Sequence, residues 1–203
     1  MKSRKMDATN ANGVRKLILD AAHKLFAEEG YHSVSMRRIA KLIGYSPTTI
    51  YLYFKNKGEV FNCLLDSIFQ EHLAATQRIL EKGLEPQATL RALLLDYVEM
   101  GVSNPGAYRV GFMRETDLWP QGSDYFVKGS YTEILYELFF KTVEAVMPED
   151  GRDPQAVRQT AWSAWAAVHG VTSLLVTYPS FPWGDVDELI SKVVDAAMLG
   201  VAS

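Results

Sequence analysis

A single cysteine in 203 residues excludes an intramolecular disulfide, and Cys63 lies in an apolar helical stretch that reads as a buried structural thiol. The four histidines, His23, His32, His72 and His169, show no His-Glu-x-x-His or other ligand spacing, and no glycine-rich phosphate loop or Gly-x-Ser-x-Gly elbow occurs. An all-α enzyme therefore finds no residues to carry its chemistry, and no metal or cofactor is expected. Alternating strand patterns, internal repeats and low-complexity tracts are almost absent. No apolar run with signal-peptide flanks opens the polar stretch MKSRKMDATNANG, so a cytoplasmic location is expected. The stretch 159–184 is long and free of acids, lysines and arginines, yet Ser163, His169, Gly170, Thr172, Ser173 and Thr177 interrupt it. A helix apolar on every side but broken in this way reads as buried on two faces rather than as a membrane span.

What is present is enough apolar material, 48% of residues, to bury roughly 70% of the unfolded surface. The net charge of −3 hides a split: residues 1–60 hold eleven Lys/Arg against five Asp/Glu, and residues 61–203 hold ten against nineteen. A polyanion is thus a candidate partner of the first segment alone, although a solvated basic face fits the same count. Apolar residues at spacings of three and four predict an all-α protein of about nine helices, divided into an N-terminal domain over 1–60 and a helical bundle over 61–203.

The first helix carries Val14, Leu17, Ile18, Ala21, Ala22, Leu25 and Phe26 on one stripe and stops at Gly30. Ser35 caps a second helix to Ile43, and Ser46 with Pro47 begins a third over 47–54. Asn56 and Glu59 have the capping-box spacing for a fourth that reaches about Leu80. Further helices are expected at 87–102, 105–115, 123–147, 154–177 and 185–200.

Two short helices around Gly44-Tyr45-Ser46 have the size of a helix-turn-helix whose second member enters the DNA major groove. Ile50 and Phe54 suit the inner face, which leaves Thr48 and Thr49 to approach base edges while Tyr51, Tyr53, Lys57, Arg37 and Arg38 serve phosphates and sugars. The spacing alone also fits a surface pair of helices with exposed tyrosines. The run Ile18-Leu19-Asp20-Ala21-Ala22, Leu25 to Tyr31, Ser33 to Ala40, Gly44-Tyr45-Ser46 and Ile50 to Lys57 resembles the DNA-binding domain of TetR-type transcriptional regulators over about residues 14–61. That resemblance implies a repressor that reads a near-palindromic operator with Ser46, Pro47, Thr48, Thr49, Tyr51 and Tyr53, while Lys57 reaches a phosphate. Leu52 stands where the family is often polar or basic, and Gly58 replaces a common acidic residue. A DNA-binding architectural protein without effector is the alternative.

Beyond the motif, Trp165, His169 and Gly170 resemble the Trp-His-Gly element of one branch of that family with an effector-binding C-terminal domain. The density of rings between Tyr97 and Phe140 suggests a cavity for a largely apolar or aromatic small molecule, with Tyr97, Phe112, Trp119, Phe126, Trp165 and His169 as contacts. Val186, Leu189, Ile190, Val193 and Ala197 form a stripe on the last helix. With Val168 and Leu175 of the uncharged helix it supplies half of a four-helix seam across a two-fold axis, as the homodimer implied by the resemblance requires.

Overall fold

The computed structural model describes residues 8–113 and 127–202. Among them lie nine α-helices and no strand: α1 Ala8–Glu29, α2 Met36–Leu42, α3 Pro47–Tyr51, α4 Lys57–Leu80, α5 Pro86–Ser103, α6 Pro105–Phe112, α7 Tyr131–Val146, α8 Pro154–Thr177 and α9 Val186–Ala202. Local chemistry starts most of them. Pro47, Pro86, Pro105 and Pro154 each occupy the first position of a helix, where the missing N–H leaves no bond unmade and φ is already helical. Ser35, Ser46 and Asn56 cap α2, α3 and α4 by accepting the N–H of Arg38, Thr49 and Glu59. Glu59 reaches back to the N–H of Lys55 at 2.6 Å, one residue earlier than a capping box places it.

Where the boundaries differ from expectation, a cap decides. The third helix ends at Tyr51 rather than Phe54, with Leu52 as its C-cap. The helix expected over 123–147 runs from Tyr131 to Val146, because Ser130 accepts the N–H of Glu133 after Gly129 turns the chain at φ +79°. Residues 123–126 lie outside the described residues. The sixth helix closes at Phe112 rather than 115. No described helix is long and apolar enough to cross a membrane.

Two cores result. The first joins α1, α2, α3 and the start of α4 around Ile18, Ile39, Ile50 and Val60, all fully buried. It runs along α4 to Ile68 and takes in Ala107 and Val110 of α6. The second gathers α5, α7, α8 and α9 around Leu90, Val143, Val168 and Val194, together with Tyr108 of α6. One short helix therefore contributes to both cores. Polar ties pin the second core at its edges: Arg109 donates to the carbonyl of Val176 at the end of α8, 2.7 Å away, and Arg91 of α5 donates to Asp195 of α9 at 3.0 Å.

The approach of α5 to α6 and α8 is set by Gly101. A Cβ there would overlap the Thr172 methyl and lie 2.8 Å from the Tyr108 ring, and both neighbours are fully buried. Gly101→Ala should cost about 1–3 kcal/mol in urea denaturation by overpacking. Gly13→Ala, whose Cβ meets nothing within 4 Å, should instead be neutral or gain up to about 1 kcal/mol.

Candidate DNA interface and effector cavity

The outer surface of the helix pair is built by burying its inner one. Ile39 and Ala40 of α2, Ile50 of α3 and Phe54 just beyond it are at most 1% exposed, so α3 has one orientation on the first core. Ser46, Pro47, Thr48 and Tyr51 then face solvent together, flanked by exposed Arg37, Arg38, Lys41 and Tyr45. Thr49 is half-buried, and its hydroxyl lies 2.8 Å from that of Ser46 while its N–H donates to Ser46 Oγ. Of the paired threonines only Thr48 projects freely. Tyr53, expected on the outer face, is half-buried and packs against the first core. Leu52 is 74% exposed and is the most outward apolar side chain of the pair. Arg38 is paired with Glu29 at 2.9 Å, which raises its pKa through that hydrogen bond and charge.

Lys57 has a different setting from the free phosphate contact expected of it. Its ammonium donates to the carbonyls of Tyr31 and Val34 at 2.7 and 2.8 Å and sits 4.0 Å from the centre of the Tyr31 ring. Partial burial lowers its pKa. Two of its three N–H groups thus tie the α1–α2 turn to the start of α4.

In the second core, a cavity of about 620 Å³, counted out to its open mouth, lies between α4, α5, α6, α7 and α8. Tyr97, Phe112 and Trp165 line it as expected; Trp119 and Phe126 lie outside the described residues. Three side chains of α4, Phe69, His72 and Thr76, complete one wall, and Leu135, Tyr136 and Phe139 of α7 the facing one. None of the α4 residues was singled out from the sequence, because a stripe of Phe, His and Thr within an amphipathic helix is indistinguishable from ordinary core until its neighbours are known. Val168, expected at a dimer seam, is fully buried and belongs to the cavity wall.

His169 is not in the lining. It sits behind it, with Nδ1 2.8 Å from the Tyr97 hydroxyl and 2.7 Å from that of Tyr108, which also donates to the His169 carbonyl at 3.2 Å. Burial lowers the pKa of the imidazole and raises both phenols, that of Tyr108 to about 12, so all three stay neutral. The Trp165 ring stacks obliquely on His169 at 5.1 Å. The histidine therefore fixes the tyrosine that lines the cavity.

His72 is the opposite case. Its Nδ1 and the Asp96 Oδ2 are both buried without a hydrogen-bond partner among the described residues and lie 3.8 Å apart. Burial pulls the His72 pKa down to about 4 and raises that of Asp96. A histidine that protonates more readily unfolded than folded makes stability rise with pH between its folded value of about 4 and its usual value of about 6.5. On moving from pH 7 to pH 5 its contribution should fall by about 2 kcal/mol. Asp96 acts with the opposite sign, so the diagnostic is a comparison of pH–stability curves in which His72→Phe is flatter than the parent over this range.

The exposed face of α8 and α9 differs from the stripe read from the sequence. Leu175 and Ala197, like Val168, are buried within this chain, whereas Val186, Leu189, Ile190 and Val193 are half-buried. Apolar or small positions left uncovered include Ala166, Leu174 and Tyr178 on one helix and its end, and Ala196, Leu199 and Gly200 on the other. Leu199 is 74% exposed, and a Cβ added at Gly170 or Gly200 would meet nothing within this chain.

Residues 18–64 match the family model described as bacterial regulatory proteins, tetR family. The fatty acid metabolism regulator protein of Bacillus subtilis (strain 168) is 29% identical over 149 residues, 70% of this chain and 74% of that one. An HTH-type transcriptional regulator of Staphylococcus aureus (strain USA300) is 30% identical over 142 residues, 61% of this chain and 77% of that one. The solved structure of the transcriptional regulator FadR from Bacillus subtilis in complex with stearoyl-CoA shares the fold, with a TM-score of 0.68 at 19% identity over 91% of this chain and 98% of that one. A helix-turn-helix with its reading face outward, joined by one long helix to a cavity-bearing bundle, agrees with these likenesses in both sequence and fold: the chain belongs to the tetR family of bacterial regulatory proteins.

Proposed function

We propose that this chain is a repressor that binds a near-palindromic operator as a homodimer in the cytoplasm and is released when a largely apolar or aromatic small molecule enters its cavity. The observation that carries this reading is the continuity of α4. Val60, Phe61 and Leu64 pack in the core of the reading head, while Phe69, His72 and Thr76 of the same helix form a cavity wall. A ligand that prefers one tilt of α4 therefore prefers one placement of α3. Only such a difference in affinity between conformers can shift the equilibrium. The stearoyl-CoA held by the related FadR structure supports a ligand with an apolar body.

On DNA, Ser46, Pro47, Thr48 and Tyr51 approach the major groove, with Thr49 contributing through Ser46 and Tyr53 holding α3 from behind. Arg37 and the N-termini of α2 and α3 take phosphates, and the one N–H of Lys57 not spent on carbonyls adds to them. Two-fold pairing through the uncovered face of α8 and α9 sets successive reading helices ~34 Å apart, one turn of the duplex.

Selection of bound fragments from a random DNA pool identifies the operator and tests this reading. Affinity should fall steeply with salt, and Arg37→Ala should reduce the slope of log affinity against log salt by roughly one. Thr48→Ala should change sequence preference in the same selection; an unchanged preference removes it from the readout. In sedimentation, Leu199→Glu should shift the protein from dimer to monomer, since the exposed leucine would otherwise be buried against a second copy. Trp165→Ala should retain operator binding while losing release by a ligand found in a thermal-shift screen, by the 5–150-fold change typical of coupled sites.

A further inference from the structure

His72 faces two spaces. Besides the aromatic cavity, it lines a second one of about 690 Å³, again counted out to its open mouth, between α4, α5 and α6, with Asp96, Glu71, Glu99, Ser103 and Met100 around it. No lysine or arginine lines either space among the described residues. Arg78 and Lys82 act on the Asp96 carboxyl through their charge, but from outside both linings. On the aromatic side the ring of His72 meets Tyr97 and Phe112 edge-on at 6.0 and 6.1 Å. Nothing among the described residues bonds its Nδ1 or the Asp96 Oδ2 opposite.

Two buried acceptors left unpaired cost about 1–3 kcal/mol each, more for a charged group, and native proteins keep few of them without use. At 3.8 Å apart, both fall within hydrogen-bond reach of one nitrogen carrying several N–H groups. We propose that the His72–Asp96 pair is the polar anchor of the effector, and that the effector is an amphiphilic amine: a protonated nitrogen on an apolar or aromatic body. The ammonium donates one N–H to Asp96 Oδ2 and another to the lone pair of His72 Nδ1, the imidazole proton being on Nε2. Glu71 and Glu99, which line the second space with Asp96, add attraction. The body of the ligand lies against Phe69, Leu135, Phe139 and Trp165. A phosphate-bearing head, by contrast, would meet three carboxylates and no cation in these linings. The anchor rests on the effector-released repressor reading and adds to it the sign of the ligand's charge.

The test uses the full-length protein and three probes with one body and different heads: 4-phenylbutylamine, 4-phenylbutanol and 4-phenylbutyrate, with stearoyl-CoA alongside. Each is titrated calorimetrically and added to an operator-binding assay. The amine should bind at least tenfold more tightly than the alcohol or the acid and should release the operator. Asp96→Asn, which keeps the shape and removes the charge, should abolish that preference, and His72→Phe should weaken the amine while leaving the affinity of the alcohol within a few-fold. Equal or tighter binding of the acid, a preference that survives Asp96→Asn, or no binding of the amine at millimolar concentration overturns the anchor. If stearoyl-CoA alone releases the operator, from parent and Asp96→Asn alike, the anchor is wrong and the repressor reading stands. If the amine binds with the expected preference but no probe changes operator affinity, the anchor stands and the coupling to DNA falls.

Discussion

Burial of Tyr108 is the constraint on which the two halves of the molecule depend. Its ring is wholly inside the second core, between Tyr97 and Phe112, and its hydroxyl is held by the side chain and carbonyl of His169. The residues beside it on α6, Ala107 and Val110, belong to the first core. A phenol buried without its hydrogen bonds would cost more than those bonds contribute when made, so the position of α6 on α8 is narrowly specified. Gly101 is the counterpart of this tie, because only the absence of a Cβ lets α5 come close enough for Tyr108 to be covered.

Besides α6, the long α4 is the element that reaches from the first core to the cavity. It contributes two kinds of residue along its length. Its first turns are aliphatic and packed, and its middle turns carry a phenylalanine, a histidine and a threonine into open space. Packing of the first kind is additive and stabilising; packing of the second kind is incomplete by construction. Burial at this wall lowers the His72 pKa to about 4, and its ring is neutral near pH 7 for that reason.

The reading head is organised on the reverse plan. Its caps, its inward Ile50 and Phe54 and the Lys57 tie to the α1–α2 turn hold the frame in place. The outward residues Thr48, Tyr51 and Leu52 stay exposed to solvent. Rigid support beneath an exposed small hydroxyl lets a contact with one base edge be specific, since a side chain free to move would lose in entropy what it gains in bonding.

Helix content, the cap residues, the inner faces of α1 to α4 apart from Leu17, which is 47% exposed, and the family of the reading head were legible in the sequence, because each depends on residues within a few positions of one another. Ser35, Ser46 and Asn56 act on N–H groups three residues away, and Gly30 and Gly44 adopt the positive φ that ends a helix, so no long-range information is needed. The density of rings announced a cavity, and Tyr97, Phe112 and Trp165 line it. Only the tertiary structure decided which side of each C-terminal helix faces it. A helix that is apolar all round gives no periodic signal, so Val168 and Leu175 of α8 read as a seam yet are buried within the chain, as is Ala197 of α9. The role of His169 depended on two tyrosines 72 and 61 residues away, and that of His72 on an aspartate from another helix. Burial, partner and charge at such positions are properties of helices brought together, and the chain's local spacing does not contain them.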